Sequence, residues 1–128
     1  MALPQELAAV DLTAALERVG GDQELLEEIA RIFLEQHPAA LEQIRQAIAA
    51  VDGAVLEKKA HLLKGAVANF EAPRAADAAF RLEKAARVGD WQAAQAAFGE
   101  LAAALEKVVG ELTAFLESRR VTAPAKGF

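Results

Sequence analysis

Eight apolar residues between positions 91 and 115 recur at alternating spacings of three and four. This spacing is typical of one apolar face on a long amphipathic α-helix, because a half-buried strand would repeat its apolar residues at every second position. We interpret the face as core, so further helices must cover it. Its members are Trp91, Ala94, Phe98, Leu101, Leu105, Val108, Leu112 and Phe115.

The composition favours helices throughout the chain. Of 128 residues, 32 are alanine and 16 are leucine, whereas valine, isoleucine and threonine together number only 16. Alanine and leucine are strong helix formers, and the β-branched residues that favour strands are scarce. The length fits one domain with a real core. We therefore predict an all-α fold.

The rare residues and the charge exclude several kinds of site. The chain has no cysteine, so it cannot form disulfides or thiolate metal sites, and its two histidines, His37 and His61, lack the spacing of a zinc motif. No glycine-rich phosphate loop predicts a nucleotide site. A net charge of −5 argues against nucleic-acid binding. No apolar run is long enough for a membrane span and no signal-peptide layout is present, so we expect a soluble, cytoplasmic protein without membrane contact.

Helix-breaking residues divide the chain at four joints. They predict helices over residues 11–19, 22–51, 54–70, 73–88 and 91–118, with Pro38 kinking or locally breaking the second helix without dividing it. Aspartates cap the first two helices and a proline opens the fourth. The joints are Gly20-Gly21-Asp22, Asp52-Gly53, Ala72-Pro73 and Gly89-Asp90.

Short connections place successive helices antiparallel. We predict an antiparallel up-down four-helix bundle over residues 1–118, with a short extra N-terminal helix across one end and a flexible tail at 119–128. Met1 and the tail favour a free-standing protein. The second helix is expected to bury a stripe of its own, made of Leu25, Ile29, Ile32, Phe33, Ile44 and Ile48.

The third helix presents a histidine to solvent. Its apolar seam is complete without His61, which lies roughly 140° from the centre of that seam. Gly65 and Ala68 share the exposed direction of the histidine, and Lys64 is within side-chain reach of it. The seam consists of Leu56, Ala60, Leu63, Val67 and Phe70.

A glycine in the middle of this helix is costly, by about 0.5–1 kcal/mol relative to alanine. Gly65 and Ala68 leave space in which a bulky partner can approach the imidazole of His61. Lys64 places a cation where a phosphoryl group on that histidine would sit. Residues 58–87 contain seven basic and three acidic residues, so this segment carries +4 within a chain of −5. A basic surround suits an acidic partner.

The string Ala60-His61-Leu62-Leu63-Lys64-Gly65 resembles the signature of histidine-containing phosphotransfer (HPt) domains of bacterial two-component phosphorelays. The segments 14–22, 32–34 and 81–83 also look like the family pattern. The resemblance implies a four-helix bundle whose histidine, here His61, accepts a phosphoryl group from a receiver-domain phospho-aspartate and passes it to another receiver. It further implies that Lys64 stabilises the phosphoryl group, that Gly65 gives the partner room, and that Glu83 is a polar neighbour of the histidine.

The same resemblance implies a phosphocarrier without its own ATP site, whose partners are receiver domains and a hybrid sensor histidine kinase. No acidic cluster is grouped for Mg²⁺, so we expect the receiver to supply that ion, and no metal or cofactor to bind this chain. We expect a monomer. The predicted docking residues are Leu62, Phe80, Lys58, Gly65, Ala68 and Glu83. One position departs from the pattern, since Glu71 stands where the family usually has a glycine that helps the chain turn.

Other functions remain open at this point. The bundle could be a docking module that binds a receiver or another acidic domain without accepting phosphate. A metal-binding bundle would need Glu-x-x-His pairs, and a histidine-kinase dimerisation domain would need an acidic residue after its histidine, and both are absent. A serine triad would depend on Ser118 near the end of the last helix. We interpret His37, beside Pro38, as a spectator.

Overall fold

The computed structural model describes residues 8–122, with side chains described for residues 8–118. This part of the chain contains five helices and no strand, which confirms the all-α prediction. Helix α2 contacts α3 and α5, and α4 contacts the same two helices, so α2–α5 form a four-helix bundle in which chain neighbours are also neighbours in space. The helices are α1 (Leu12–Arg18), α2 (Gln23–Ala49), α3 (Gly53–Ala68), α4 (Pro73–Val88) and α5 (Trp91–Thr122).

The joints between the helices are built as the sequence predicts. Asp11, Asp22 and Asp52 each accept a hydrogen bond from the backbone N–H three residues ahead, which satisfies a donor that the first turn leaves free. Helix α4 begins with Pro73 at its first position, and Gly89 ends it with a φ of 74°.

Helix α2 continues through Pro38 as a single element, as predicted, and without a local break. Helix α5 runs to Thr122, beyond the predicted end at Ser118, so the first residues assigned to the tail are helical. Residues 123–128, the rest of the predicted tail, lie outside the described residues. No helix within residues 8–122 combines the length and apolar character needed to cross a bilayer.

The burial predicted for the apolar seam of α3 is confirmed, and so is most of that predicted for α5. All five seam residues of α3 are buried. In α5 the five aliphatic members, Ala94, Leu101, Leu105, Val108 and Leu112, are buried, whereas the three aromatic members are only partly buried. Those three are Trp91, Phe98 and Phe115.

The stripe predicted for α2 is wrong at Leu25 and Ile32, whereas Ile29 is partly buried against the core. Leu25 and Ile32 are both 43% exposed, and Leu26 and Ala30 are buried in their place. The buried face is therefore rotated toward Leu26 and Ala30. Phe33, Ile44 and Ile48 are buried as predicted.

The turn between α3 and α4 adopts a left-handed backbone angle at position 71 although the residue there is not glycine. Glu71 has a φ of 51°, in the left-handed region that favours glycine. Its carboxylate pairs with Arg18 of α1, and the backbone N–H of Asp11 donates to the carbonyls of Phe70 and Glu71. Helix α3 ends at Ala68, two residues before the predicted Phe70. Helix α1 and the turn therefore hold each other in place.

Phe70 is the largest fully buried side chain, and its ring meets that of Phe33 edge to face at 5.5 Å. We expect Phe70→Ala to lower the free energy of unfolding by about 3–5 kcal/mol, because it removes a ring that packs the turn after α3 against α2 and leaves a cavity. Urea denaturation measures this change. As a control, Val88→Ala trims a side chain that is 77% exposed and should shift stability by less than about 0.5 kcal/mol. Equal effects of the two variants would contradict this core.

Candidate functional site

His61 lies on the side of α3 that faces away from its buried seam. Its side chain is 62% exposed, as the helical spacing predicts. The seam residues Ala60 and Leu63 are buried on the opposite face and fix the rotation of the helix about its axis. The imidazole is therefore accessible to another protein while its helix is firmly packed.

Glu83 of α4 joins the two predicted site residues of α3. Its side chain is only 7% exposed. One carboxylate oxygen, Oε2, lies 3.1 Å from Nδ1 of His61, and the other, Oε1, accepts a hydrogen bond of 2.9 Å from Nζ of Lys64. The structure thus brings His61, Lys64 and Glu83 together.

The charge state of Glu83 determines which ring nitrogen of His61 is free. The hydrogen bond from Lys64 lowers the pKa of Glu83 below its ordinary value, against the opposing effect of burial, and His61 contributes less. An ionised carboxylate can only accept hydrogen bonds, so Nδ1 of His61 carries the proton of the bond to Glu83. The lone pair of a neutral imidazole then lies on Nε2.

Arg87 belongs to the same cluster, and the sequence analysis did not assign it to the site. Its Nη2 lies 3.3 Å from Oε2 of Glu83, and its Nε donates to Glu57 of α3 at 2.9 Å. The available signal was the spacing of four residues between Glu83 and Arg87, which places both on one side of α4. Arg87 adds a second tie between α3 and α4 beside the histidine.

The remaining predicted residues surround the histidine in different ways. Leu62 is 57% exposed and Lys58 is exposed, while Ala68 is half-buried. A Cβ added at Gly65 would meet nothing within 4 Å, so the space expected there is present. Phe80 is 40% exposed, but it is more than an apolar contact, because two lysine ammonium groups lie over its ring.

An apolar groove runs between α2 and α3 beside Leu62. Its volume is about 430 Å³, and Ile32 and Phe33 line it together with His37. The ring of His37 stacks on that of Phe33 at 5.7 Å, and burial lowers the pKa of this histidine. The charged form of the His37 imidazole is therefore disfavoured. Separately, the described residues contain no group of three side chains that could ligate a metal ion.

The comparison with protein families supplies the remaining observation. A sequence model of the family described as "Hpt domain" matches residues 28–111, about two-thirds of the chain. The chain belongs to the Hpt domain family. The matched residues include α3 and α4 and therefore His61, Lys64, Gly65 and Glu83. No curated protein and no solved structure matches the chain.

Membership in this family has direct consequences for function. Hpt domains transfer phosphoryl groups through a histidine in two-component phosphorelays, and they are phosphocarriers that lack an ATP site of their own. They interact with receiver domains and kinases. The family assignment therefore confirms the resemblance seen in the sequence around His61.

Glu83 should make the stability of the bundle depend on pH. Its folded-state pKa lies below the ordinary value of 4.5, so the carboxylate stabilises the fold above that pH, and this contribution is lost as the pH falls through the folded pKa. We expect Glu83→Gln to lower the free energy of unfolding by about 1–2 kcal/mol at neutral pH, and the difference from wild type to shrink in acid.

Urea midpoints measured at about pH 7 and about pH 3.5 test this expectation. Glu100→Gln is the matched control, because Glu100 also pairs with an arginine, Arg81, but its side chain is 57% exposed. An exposed pair of this kind contributes less than about 1 kcal/mol. A deficit of Glu83→Gln that stayed constant over this pH range would show that the carboxylate charge is not what stabilises the site.

Proposed function

We propose that this chain is a phosphocarrier that accepts a phosphoryl group on Nε2 of His61 from the phospho-aspartate of one receiver domain and passes it to another. The observation that carries the proposal is an exposed imidazole whose Nδ1 is held by a buried, ionised carboxylate. This arrangement leaves one ring nitrogen available to a partner and keeps the ring in a single orientation.

The transfer would be an in-line displacement at phosphorus. The lone pair on Nε2 forms the new P–N bond while the P–O bond of the aspartyl phosphate breaks, and the aspartate leaves as a carboxylate. The proton on Nδ1 stays in place, so the phosphorylated ring becomes cationic. The carboxylate of Glu83 faces that developing charge at 3.1 Å and stabilises it without having to move. Return of the phosphoryl group to a second receiver reverses these steps.

Lys64 is suited to the phosphoryl oxygens. An ammonium group has three donors, and the bond to Glu83 uses one of them. Since Glu83 holds both Lys64 and His61, the ammonium lies on the same side of the helix as the ring. We propose that its remaining donors bind phosphoryl oxygens on His61.

We propose that the receiver brings the Mg²⁺ that neutralises the transferred group. The carboxylate that contacts His61, Glu83, is already shared by Lys64, Arg87 and the imidazole, and no group of three ligating side chains that could hold a metal lies within the described residues. This chain therefore contributes the nucleophile and a cation, and the receiver contributes the metal. A hybrid sensor kinase as the source of phosphate, a monomeric state and a cytoplasmic location stay predictions.

The nucleophile can be tested with and without a partner. Phosphoramidate, a small phosphoryl donor, should label wild type at Nε2 and leave His61→Gln unlabelled, and His37→Gln should retain the label. Receiver domains from the source organism, loaded with acetyl phosphate, should give the same pattern at higher rates. ³¹P NMR identifies the labelled nitrogen, and acid lability confirms a phosphoramidate bond. Receivers that bind the wild type but never transfer to it would favour the alternative, a docking module.

A substitution at Gly65 should change the stability of the bundle and the rate of phosphoryl transfer in opposite directions. A Cβ at this position meets no atom within 4 Å, so Gly65→Ala should raise the free energy of unfolding by about 0.5–1 kcal/mol. The same methyl group lies on the face a receiver must approach, so transfer should slow by about tenfold, which corresponds to about 1.4 kcal/mol of activation free energy.

Gly99→Ala in α5 is the matched control, since a Cβ there also meets nothing within 4 Å. It should stabilise the bundle by a similar amount and leave transfer unchanged. Thermal unfolding and the initial rate of transfer from a loaded receiver measure the two effects. A Gly65→Ala protein that transferred as fast as Gly99→Ala would show that this glycine does not serve the approach of the partner.

A further inference from the structure

Two ammonium groups from different helices share the ring of Phe80. Nζ of Lys64, on α3, lies 4.8 Å from the ring centroid, and Nζ of Lys84, on α4, lies 4.5 Å from it. Cations are attracted to the face of an aromatic ring. Phe80 therefore gathers two positive charges on the flank of His61.

Lys84 differs from Lys64, Arg81 and Arg87 in having no carboxylate partner within the described residues. Lys64 and Arg87 both pair with Glu83. Arg81 pairs with Asp77 and Glu100. The side chain of Lys84 is exposed, and the contact described for its ammonium group is the one with the ring of Phe80. Of the described cations that contact Glu83 or the ring of Phe80, Lys84 is therefore the one whose charge no carboxylate compensates.

Two like charges held near one ring repel each other, and an anion that approaches both is attracted by both. We propose that Lys84, held beside Lys64 by Phe80, is an electrostatic docking determinant that receives the acidic surface around the phospho-aspartate of the receiver. This inference rests on the proposed function and deepens it. Phe80 is then a positioning residue, which acts through the charge of Lys84 rather than by touching the reacting atoms.

A charge that guides docking changes association more than the chemical step. Lys84→Gln should lower the second-order rate constant of transfer by roughly three- to tenfold at low ionic strength. The loss should vanish at about 0.5 M salt, where the screening length is only a few ångströms. The first-order rate at saturating receiver should remain that of wild type.

Lys107→Gln on α5 is the matched control, because it removes the same charge at a position outside the site. Two variants of Phe80 test the positioning role. Phe80→Leu removes the aromatic face and should reproduce the salt-dependent defect of Lys84→Gln, whereas Phe80→Tyr keeps that face and should restore wild-type transfer. The double variant with Phe80→Leu and Lys84→Gln should be little slower than either single variant, since both act through the same charge.

The outcomes separate this inference from the proposed function. If wild type accepts phosphate on His61 but Lys84→Gln equals Lys107→Gln at both salt concentrations, the inference is overturned and the carrier function stands. If no loaded receiver transfers, fluorescence anisotropy of the same receivers still measures docking, and a salt-dependent loss of binding confined to Lys84→Gln and Phe80→Leu supports the inference. Binding that neither variant changes overturns it.

Discussion

The carboxylate of Glu83 is almost closed off from water and stays charged because cations surround it. Lys64 and Arg87 donate to it, and His61 shares the oxygen that Arg87 approaches. Removing a carboxylate from water is costly unless its partners replace the lost hydrogen bonds, and here they do. Two of these partners belong to α3 and Glu83 belongs to α4, the two helices that pack most extensively against each other. The network therefore fixes their relative rotation, and the imidazole takes its orientation from the packing of the bundle.

Helix α3 packs against the core with one face and presents Gly65 and His61 to solvent on the other. The five seam residues are buried and anchor the helix, so the opposite face can accept groups that destabilise an isolated helix, such as the glycine at position 65. The same seam keeps His61 exposed, because rotating the helix to bury the ring would bring Leu63 into water. The exposure of His61 is thus a consequence of where the core lies, and the hydrogen bond to Glu83 sets the tautomer of its ring.

Complete periodicity in the sequence predicts which face of a helix is buried, whereas contacts between helices are not visible in a single sequence. The seam of α3 alternates spacings of four and three, and its burial follows. In α2 the large residues Leu25 and Ile32 suggested one face, but Ala30 can be buried in a close helix contact that hydrophobicity alone does not reveal. Glu83 was predicted to lie near His61, yet its shared bonds with Lys64 and Arg87 depend on how α3 and α4 rotate against each other, which a single sequence does not specify.

Glu71 shows which features of the family pattern serve the turn and which serve the chemistry. A side chain in the left-handed region costs about 1 kcal/mol or more, and an ion pair as exposed as that with Arg18 offsets at most part of it. The backbone bonds from Asp11 to the carbonyls of Phe70 and Glu71, together with the fully buried ring of Phe70, hold the turn in this conformation. Glycine at position 71 is therefore replaceable, since packing imposes the angle that glycine would merely permit. In the proposed function no comparable replacement exists for His61, because the lone pair on Nε2 would be the reacting group itself.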